Sequence, residues 1–322
     1  MVTLQDVQQA RSLLSKVAVR TPLVLCRLSD DRQIHVKPEN LQPIGSFKLR
    51  GAYNKISSLT PEQRARGVVA HSSGNHAQGV AFAARALGVR ATIVMPRTAP
   101  KVKLDATRAL GAEVVLVGPA SDDRIKKAEE LEKEQGLVAV PPYNDEKIIA
   151  GQGTIGLEIL DDLPEVDLVL IPIGGGGMIS GVATVIKELN PKAKVVGVEP
   201  EFAADAQASL RSGKIQSVSA ESAARTAADG LRSQSIGEIN FEHIRKYVDD
   251  IVTVTEEDIR RAMHRLLFSA RILAEPSGAV ATAAAMFHAE ELPHASKTVA
   301  VVTGGNVEPQ LFSDILLENR VR

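Results

Sequence analysis

Residues 67–96 read GVVAHSSGNHAQGVAFAARALGVRATIVMP, and the alternation within them decides the fold. Val68-Val69-Ala70 is a short β-branched run that reads as a strand. Ala77, Val80, Ala81, Ala84 and Leu87 then recur at three- and four-residue intervals, which makes one helix face apolar until Gly88 ends it. Ala91 to Met95 is a second strand, stopped by Pro96, and Val102 to Leu110 a second helix, stopped by Gly111. A third strand follows at Val114-Val115-Leu116-Val117. Strands and helices alternating at this spacing build right-handed βαβ units and a parallel sheet. The charged segment from Asp122 to Gln135 reads as a solvated surface helix.

A second α/β block starts near Gly151, with a helix through Leu160, a strand at Leu168–Ile171, a helix over Met178–Leu189 and a strand at Val195–Val198. Near the end, Glu256–Leu273 and Ser277–His288 read as helices and Thr298–Val302 as a buried strand. No Pro, Gly or Ser tract separates the blocks, so two α/β domains intertwined along the chain are expected. The 322 residues are about twice a typical domain. A net charge of −1 and 3% aromatic residues leave neither a phosphate-tracking basic face nor a stacking surface, which argues against nucleic-acid binding. The first twenty residues hold no apolar run suited to a signal peptide or a membrane span. Cys26 stands alone, so an internal disulfide is excluded; it is expected in the core, and a cytoplasmic location follows as the default.

Three short segments carry chemistry. Gly174-Gly175-Gly176-Gly177 lies just after a strand and directly before a helix. Each glycine in regular structure costs roughly 0.5–1 kcal/mol against alanine. Four together imply backbone that comes very close to something, and bare amides at a helix N-terminus bind an anion such as phosphate. The GxxxxGK[ST] pattern is absent, and Ile179 stands where the third glycine of GxGxxG belongs, so no dinucleotide signature is present. Ser72-Ser73-Gly74-Asn75-His76 joins a strand to a helix at the carboxyl end of its sheet, a loop suited to a carboxylate. Ser73 or Asn75 serving only as a helix cap is equally open, and His76 reads as a helix-start residue rather than a catalyst. Lys48 sits in Gln42-Pro43-Ile44-Gly45-Ser46-Phe47-Lys48-Leu49-Arg50-Gly51, between a turn and a helix start. Ile44, Phe47 and Leu49 could desolvate its amine enough for it to form a Schiff base.

Taken together, KPENLQPIGSFKLRGA, SSGNHAQG, AGQGT and GGGGM, in that order from Lys37 to Thr303-Gly304-Gly305-Asn306, resemble the fold-type II pyridoxal 5′-phosphate enzymes. The group they resemble is that of the threonine/serine dehydratases and serine racemases. The resemblance implies a tryptophan synthase β-like α/β fold, two open twisted domains with the cofactor in the cleft between them. The large domain would comprise 1–60 and 144–322, and a small inserted domain 61–143. It implies that Lys48 is the Schiff-base lysine, with Phe47 and Asn75 beside the cofactor ring and Asn75 at its 3′-oxygen. Gly174, Gly175, Gly176 and Gly177, with Met178, resemble the phosphate cup. Ser72, Ser73, Gly74, Asn75 and His76 resemble the loop that grips the substrate carboxylate. Thr303 stands where the family places a hydroxyl or thiol near the pyridine nitrogen, serine being the expected residue.

By the same resemblance, Glu199, Asp205 and the carbonyl of Ala203 match positions that bind Mg²⁺ or Ca²⁺, an oxygen set that suits either ion. HExxH and CxxC are both missing, so no zinc site is expected. β-Elimination from L-threonine or L-serine, giving 2-oxobutyrate or pyruvate and ammonia, is the implied reaction. Ser73 keeps racemisation open as a catalytic role on the face opposite Lys48, and 3-hydroxyaspartate is a further candidate substrate. A non-catalytic sensor of phosphorylated ligands and a β-replacement enzyme of the cysteine synthase type are the rivals. Asn144, Arg124 and Asp229-Gly230 fall near positions that shape the cleft in the racemases. A homodimer is expected, and with sixteen residues after Asn306 the amino-acid-sensing domain of biosynthetic threonine dehydratases, and feedback by isoleucine, are not expected.

Overall fold

The computed structural model describes residues 1–72, 74–99, 101–118 and 121–317, the side chains at 102, 121 and 122 excepted. Its strands are β1 (Val24–Arg27), β2 (Gln33–Pro38), β3 (Val68–His71), β4 (Ala91–Pro96), β5 (Glu113–Val117), β6 (Val138–Ala139), β7 (Leu168–Pro172), β8 (Lys194–Pro200), β9 (Asp250–Val254) and β10 (Thr298–Val302). They form two sheets, in the orders β1-β2-β10-β7-β8-β9 and β5-β4-β3-β6. Only β1, which pairs with β2, runs antiparallel. The smaller sheet uses strands from between β2 and β7, so the chain leaves the larger sheet, builds the smaller one and returns.

The buried apolar residues alternate along the larger sheet. Leu168, Leu170, Ala300 and Val302 pack with the alanine-rich helix Pro276–Phe287 on one face, while Val169, Ile171, Val299 and Val301 meet helix Gly177–Leu189 on the other. Both faces are covered, which is why these strands read as continuous apolar runs. In the smaller sheet Val68, Ala70, Ile93 and Met95 face one core and Val69 and Val94 another. That second core includes Ala128 and Leu131 of helix Ser121–Gln135, so the helix read as solvated carries a buried stripe beneath its charged face.

One helix ends earlier than its periodicity predicts. The helix from Glu256 stops at Arg265, widens into a π turn over Leu266–Ala270 and breaks at Arg271, whose φ is 61°. Pro276 bars its preceding residue from helical backbone, and Glu275 is extended accordingly. The continuous helix to Leu273 is therefore replaced by a link that delivers Glu275 to the start of the next helix.

The helices between the two sheets are locked by charge as well as by packing. Arg50, on helix Lys48–Ser57, is 1% exposed and donates Nε and Nη2 to Glu39 at 2.7 and 2.8 Å and Nη1 to Glu158 at 2.7 Å. Lys37 at the end of β2 reaches the same Glu158 at 2.6 Å, and Thr21 donates to Glu39 at 2.9 Å. Burial would raise the Glu39 carboxyl, but Arg50 beside it overrides this and holds it below the usual carboxylate range. Two cations and two carboxylates thus cancel with nearly every donor and acceptor used, the condition under which buried charge is tolerated. Arg50→Met is expected to cost about 3–5 kcal/mol, the usual penalty for leaving buried partners uncompensated. A thermal melt unchanged by the substitution would refute that role.

Candidate active site

The carboxyl ends of β3, β4, β7 and β10 open on one cavity of about 860 Å³ between the two sheets, the position at which open α/β folds take ligands. Its lining includes Lys48, Asn75, Gly175, Tyr143, Glu275 and Thr303, drawn from segments more than two hundred residues apart.

Lys48 begins its helix, and the loop before it is tied to the end of β10. Phe47 N–H donates to Thr303 O at 3.1 Å, Gly305 N–H to Gly45 O at 2.9 Å, and Asn306 Nδ2 to Ile44 O at 2.9 Å. Gly45 has φ of 71°, and a Cβ there would fall 2.4 Å from Asn306 Oδ1, so only glycine fits the join. The Lys48 amine donates to Pro142 O at 2.8 Å and lies 5.1 Å from the Phe47 ring centre. No carboxylate compensates its burial, and desolvation alone brings it down to about 8.

Across the cavity, β7 runs into the glycine loop. Gly176 has φ of 91° and caps helix Gly177–Leu189, while the Gly175 O accepts from Gly237 N–H at 3.2 Å and Asn240 Nδ2 at 2.7 Å. With its carbonyl held outward, the N–H groups of Gly174, Gly175 and Gly176 carry no hydrogen bond among the described residues. Gly175 lies flat on the Tyr143 ring, where an added Cβ would come within 2.2 Å. Met178 is buried in the first turn of the helix. Open amides beside a helix N-terminus meet the chemistry of a phosphate.

The third wall is the loop after β3. Ser72 Oγ accepts from Gly74 N–H at 3.2 Å. The cap of helix Asn75–Ala86 is Gly74, so Asn75 lies inside the helix and is not its cap. Asn75 is instead gripped at both ends: Asn306 Nδ2 donates to its Oδ1 at 2.8 Å and its Nδ2 donates to Glu275. His76 is buried with Nε2 on Val140 O at 2.8 Å, and burial followed by the nearby Lys48 pulls it down to about 3. It stays neutral and offers the site only its backbone. Ser73 lies outside the described residues. Thr303, 3% exposed, donates its hydroxyl to Ser277 O at 3.2 Å, which leaves its oxygen lone pairs to accept.

Glu199 and Asp205 are separate from this cavity, at the end of β8 and the start of helix Asp205–Ser212. Glu199 accepts the N–H groups of Ala206 and Gln207 at 2.9 and 2.8 Å, so it is Glu199 that caps the helix, not Asp205. Burial raises Asp205 to about 7 and, with Asp205 as neighbour, raises Glu199 well above its ordinary value. Asp205 Oδ2 is buried without a partner. Two desolvated carboxylates, one with an orphaned oxygen, fit a hard cation. Among the described residues no group of three or more His, Cys, Asp or Glu is arranged to hold a metal ion by side chains alone.

Arg124 and the Asp229-Gly230 turn line the cavity. Asn144 does not; its Oδ1 accepts Ile239 N–H at 3.1 Å and so serves the start of helix Glu238–Tyr247. Sequence reading missed Tyr143, Glu275, Ser277 and Lys103. Lys103 on helix Lys101–Ala109 is 5% exposed and paired with Asp229 across the cleft, yet in the sequence it is one of two lysines in a charged helix. Only Glu275, an acid directly before Pro-Ser-Gly at a helix start, left a local signal.

The chain is 46% identical to the L-threonine ammonia-lyase of Thermotoga maritima, covering all of this chain and 80% of that protein. It is 39% identical to the L-threo-3-hydroxyaspartate ammonia-lyase of Saccharomyces cerevisiae, over 98% of this chain and 96% of the other. The fold superposes on maize serine racemase with a TM-score of 0.91 at 35% identity, covering 98% and 97% of the two chains. Residues 14–304 match the family model for pyridoxal-phosphate dependent enzymes. With the lysine, the open glycine amides and the cleft between two α/β sheets, these likenesses make the chain a member of the pyridoxal-phosphate dependent enzyme family, in its fold-type II threonine/serine dehydratase and serine racemase group.

Proposed function

We propose that this protein is a pyridoxal 5′-phosphate dependent ammonia-lyase that converts L-threonine or L-serine to 2-oxobutyrate or pyruvate and ammonia. The observation that carries this reading is the Lys48 amine, desolvated to about 8 in one cavity with an open glycine loop. The likeness to the Thermotoga maritima threonine ammonia-lyase supports it.

In this reading Lys48 is the covalent attachment point. Gly174 to Gly177 and Met178 hold the phosphate by backbone N–H groups, and Asn75 and Phe47 flank the ring. Thr303 faces the ring nitrogen with a neutral hydroxyl. When bound, the cofactor supplies an electron sink for the bond that breaks at the substrate α-carbon. Once the substrate amine has displaced it from that attachment, Lys48 would remove the α-proton, because an amine with its acidity near 8 is partly uncharged at neutral pH and no carboxylate among the described residues holds it protonated. Ser72, Ser73, Gly74, Asn75 and neutral His76 orient the substrate carboxylate through loop N–H groups and hydroxyls. We divide the chain into a large domain, 1–60 with 144–322, and a small one, 61–143, a reading supported by the division of strands between the sheets.

We place Mg²⁺ or Ca²⁺ at Glu199, Asp205 and the Ala203 carbonyl, a cytoplasmic location, and a homodimer. Among the described residues no helix is long and apolar enough to cross a membrane. Exposed Leu25, Leu41, Phe268 and Leu273 supply apolar surface for self-association. The second reading, racemisation with Ser73 on the face opposite Lys48, is favoured by the likeness to maize serine racemase.

Borohydride reduction of the loaded protein should add the pyridoxyl mass to Lys48 alone, and Lys48→Ala should abolish visible absorbance; label on another residue would end this account. Turnover of L-threonine, L-serine and L-threo-3-hydroxyaspartate should favour threonine, with 2-oxo acid the main product. D-serine accumulating without pyruvate would reverse the order of the two readings. Mg²⁺ at a hundredfold excess over its dissociation constant should stabilise the protein by about 2.7 kcal/mol. The shift should vanish in Asp205→Asn, and an equal shift in that variant would remove the cation from this place.

A further inference from the structure

Glu275 is a buried ionisable side chain of the cavity with no task in the reaction above. It is 1% exposed, stands directly before helix Pro276–Phe287 and is held there by its own N–H, which donates to Gly304 O at 3.0 Å. Its carboxyl lies against Gly304, where a Cβ would fall 2.3 Å from Oε1, so the residue after Thr303 must be glycine for the acid to fit. Oε1 accepts Asn75 Nδ2, and Oε2 is buried without any partner. An amide has two N–H donors and a carbonyl. In Asn75 the carbonyl is taken by Asn306 and one donor by Glu275, which fixes which way the amide faces and leaves one N–H uncommitted.

We propose that Glu275 is a positioning residue that works as an uncharged acid: it locks the Asn75 amide with one N–H left for the cavity, and its lack of charge lets that N–H hold an anionic ring oxygen of the bound cofactor. The inference rests on the placing of Asn75 at that oxygen in the proposed function. With Oε1 committed as an acceptor, the proton resides on Oε2. Among the described residues no cation touches the carboxyl. Among charged groups, Asp229 from the 3-10 turn Asp229–Leu231 faces it and opposes ionisation, and Lys103 from helix Lys101–Ala109 favours it. Lys103 is itself held by Asp229, with Glu308 beyond. Ser277, Gly304 and Asn75 contribute no charge. Burial first, then Asp229, raises the acid to about 8. Once ionised, it sets a negative charge beside the ring oxygen and drives that oxygen toward its protonated form, which changes the colour of the bound cofactor.

Two readouts test this without relying on turnover. Visible absorbance of the loaded protein, followed from pH 6 to 10, should show a transition centred near 8 that is absent in Glu275→Gln and moves to lower pH in Asp229→Asn. In the cofactor-free protein the folded state binds a proton at Glu275 that the unfolded state has released, from about pH 4.5 to about 8. The wild-type melting temperature should therefore fall over that range relative to Glu275→Gln. A transition that persists unmoved in both variants, or parallel melting profiles, overturns the proposal. Should Glu275→Gln not fold, an unmoved midpoint in Asp229→Asn suffices to overturn it. Absence of any visible band in wild-type protein with added cofactor would instead defeat the Lys48 reading, and the melting profiles would still decide the protonation of Glu275.

Discussion

A guanidinium with almost no access to water sits where the two sheets meet, and the placement of the lysine depends on it. Arg50 is two residues beyond Lys48 on the same helix; four of its five N–H donors engage Glu39 after β2 and Glu158 on helix Glu146–Asp162, and the fifth reaches Thr154. A planar, permanently charged group can satisfy two carboxylates at once; an ammonium cannot. The network fixes the axial and rotational position of helix Lys48–Ser57, and with it the direction in which residue 48 leaves the backbone. Lys37 completes the neutralisation, so the arrangement tolerates burial.

From that anchor the site is assembled by short approaches of backbone. The turn before Lys48 lies on the end of β10, the glycine loop on Tyr143, and the acid at 275 on Gly304. At each contact a side chain larger than hydrogen would occupy space already filled. The glycines serve two ends at once, since the same absence of Cβ that permits close packing leaves amides open to a ligand. Charge is distributed by the opposite logic. Arg50 is buried with partners and stays charged, whereas Lys48, Glu275 and Asp205 are buried without enough of them and are drawn toward neutrality. The groups whose protonation is shifted toward the neutral form are the ones left short of partners.

Much of this was legible along the chain. The βαβ spacing of residues 67–117 gave strands and helices close to those observed, because both faces of a parallel sheet are buried and its strands carry uninterrupted apolar runs. The glycine run and the polar loop after β3 were visible for the same reason: unusual local backbone demands unusual local composition. β9, with Thr253 among its valines and isoleucine, and the two-residue β6 escaped notice, since short strands without a clear boundary look like loop. The helix from Glu256 was read too long, because its periodicity continues through the π turn at Leu266–Ala270 and gives no sign of the break at Arg271.

What the sequence determined by itself was the class of fold, and it marked a lysine at one helix start and a glycine run at another, each within a window of a few residues by periodicity or by glycine. What tertiary structure decided was which polar groups meet: Asn75 between Asn306 and Glu275, Lys103 against Asp229, Glu199 capping the helix at Asp205. These pairs join residues up to 231 positions apart. Protonation depends on burial and on neighbours brought in by the fold, so an acid, an amide or a lysine carries no mark in one dimension of the charge it will hold in three.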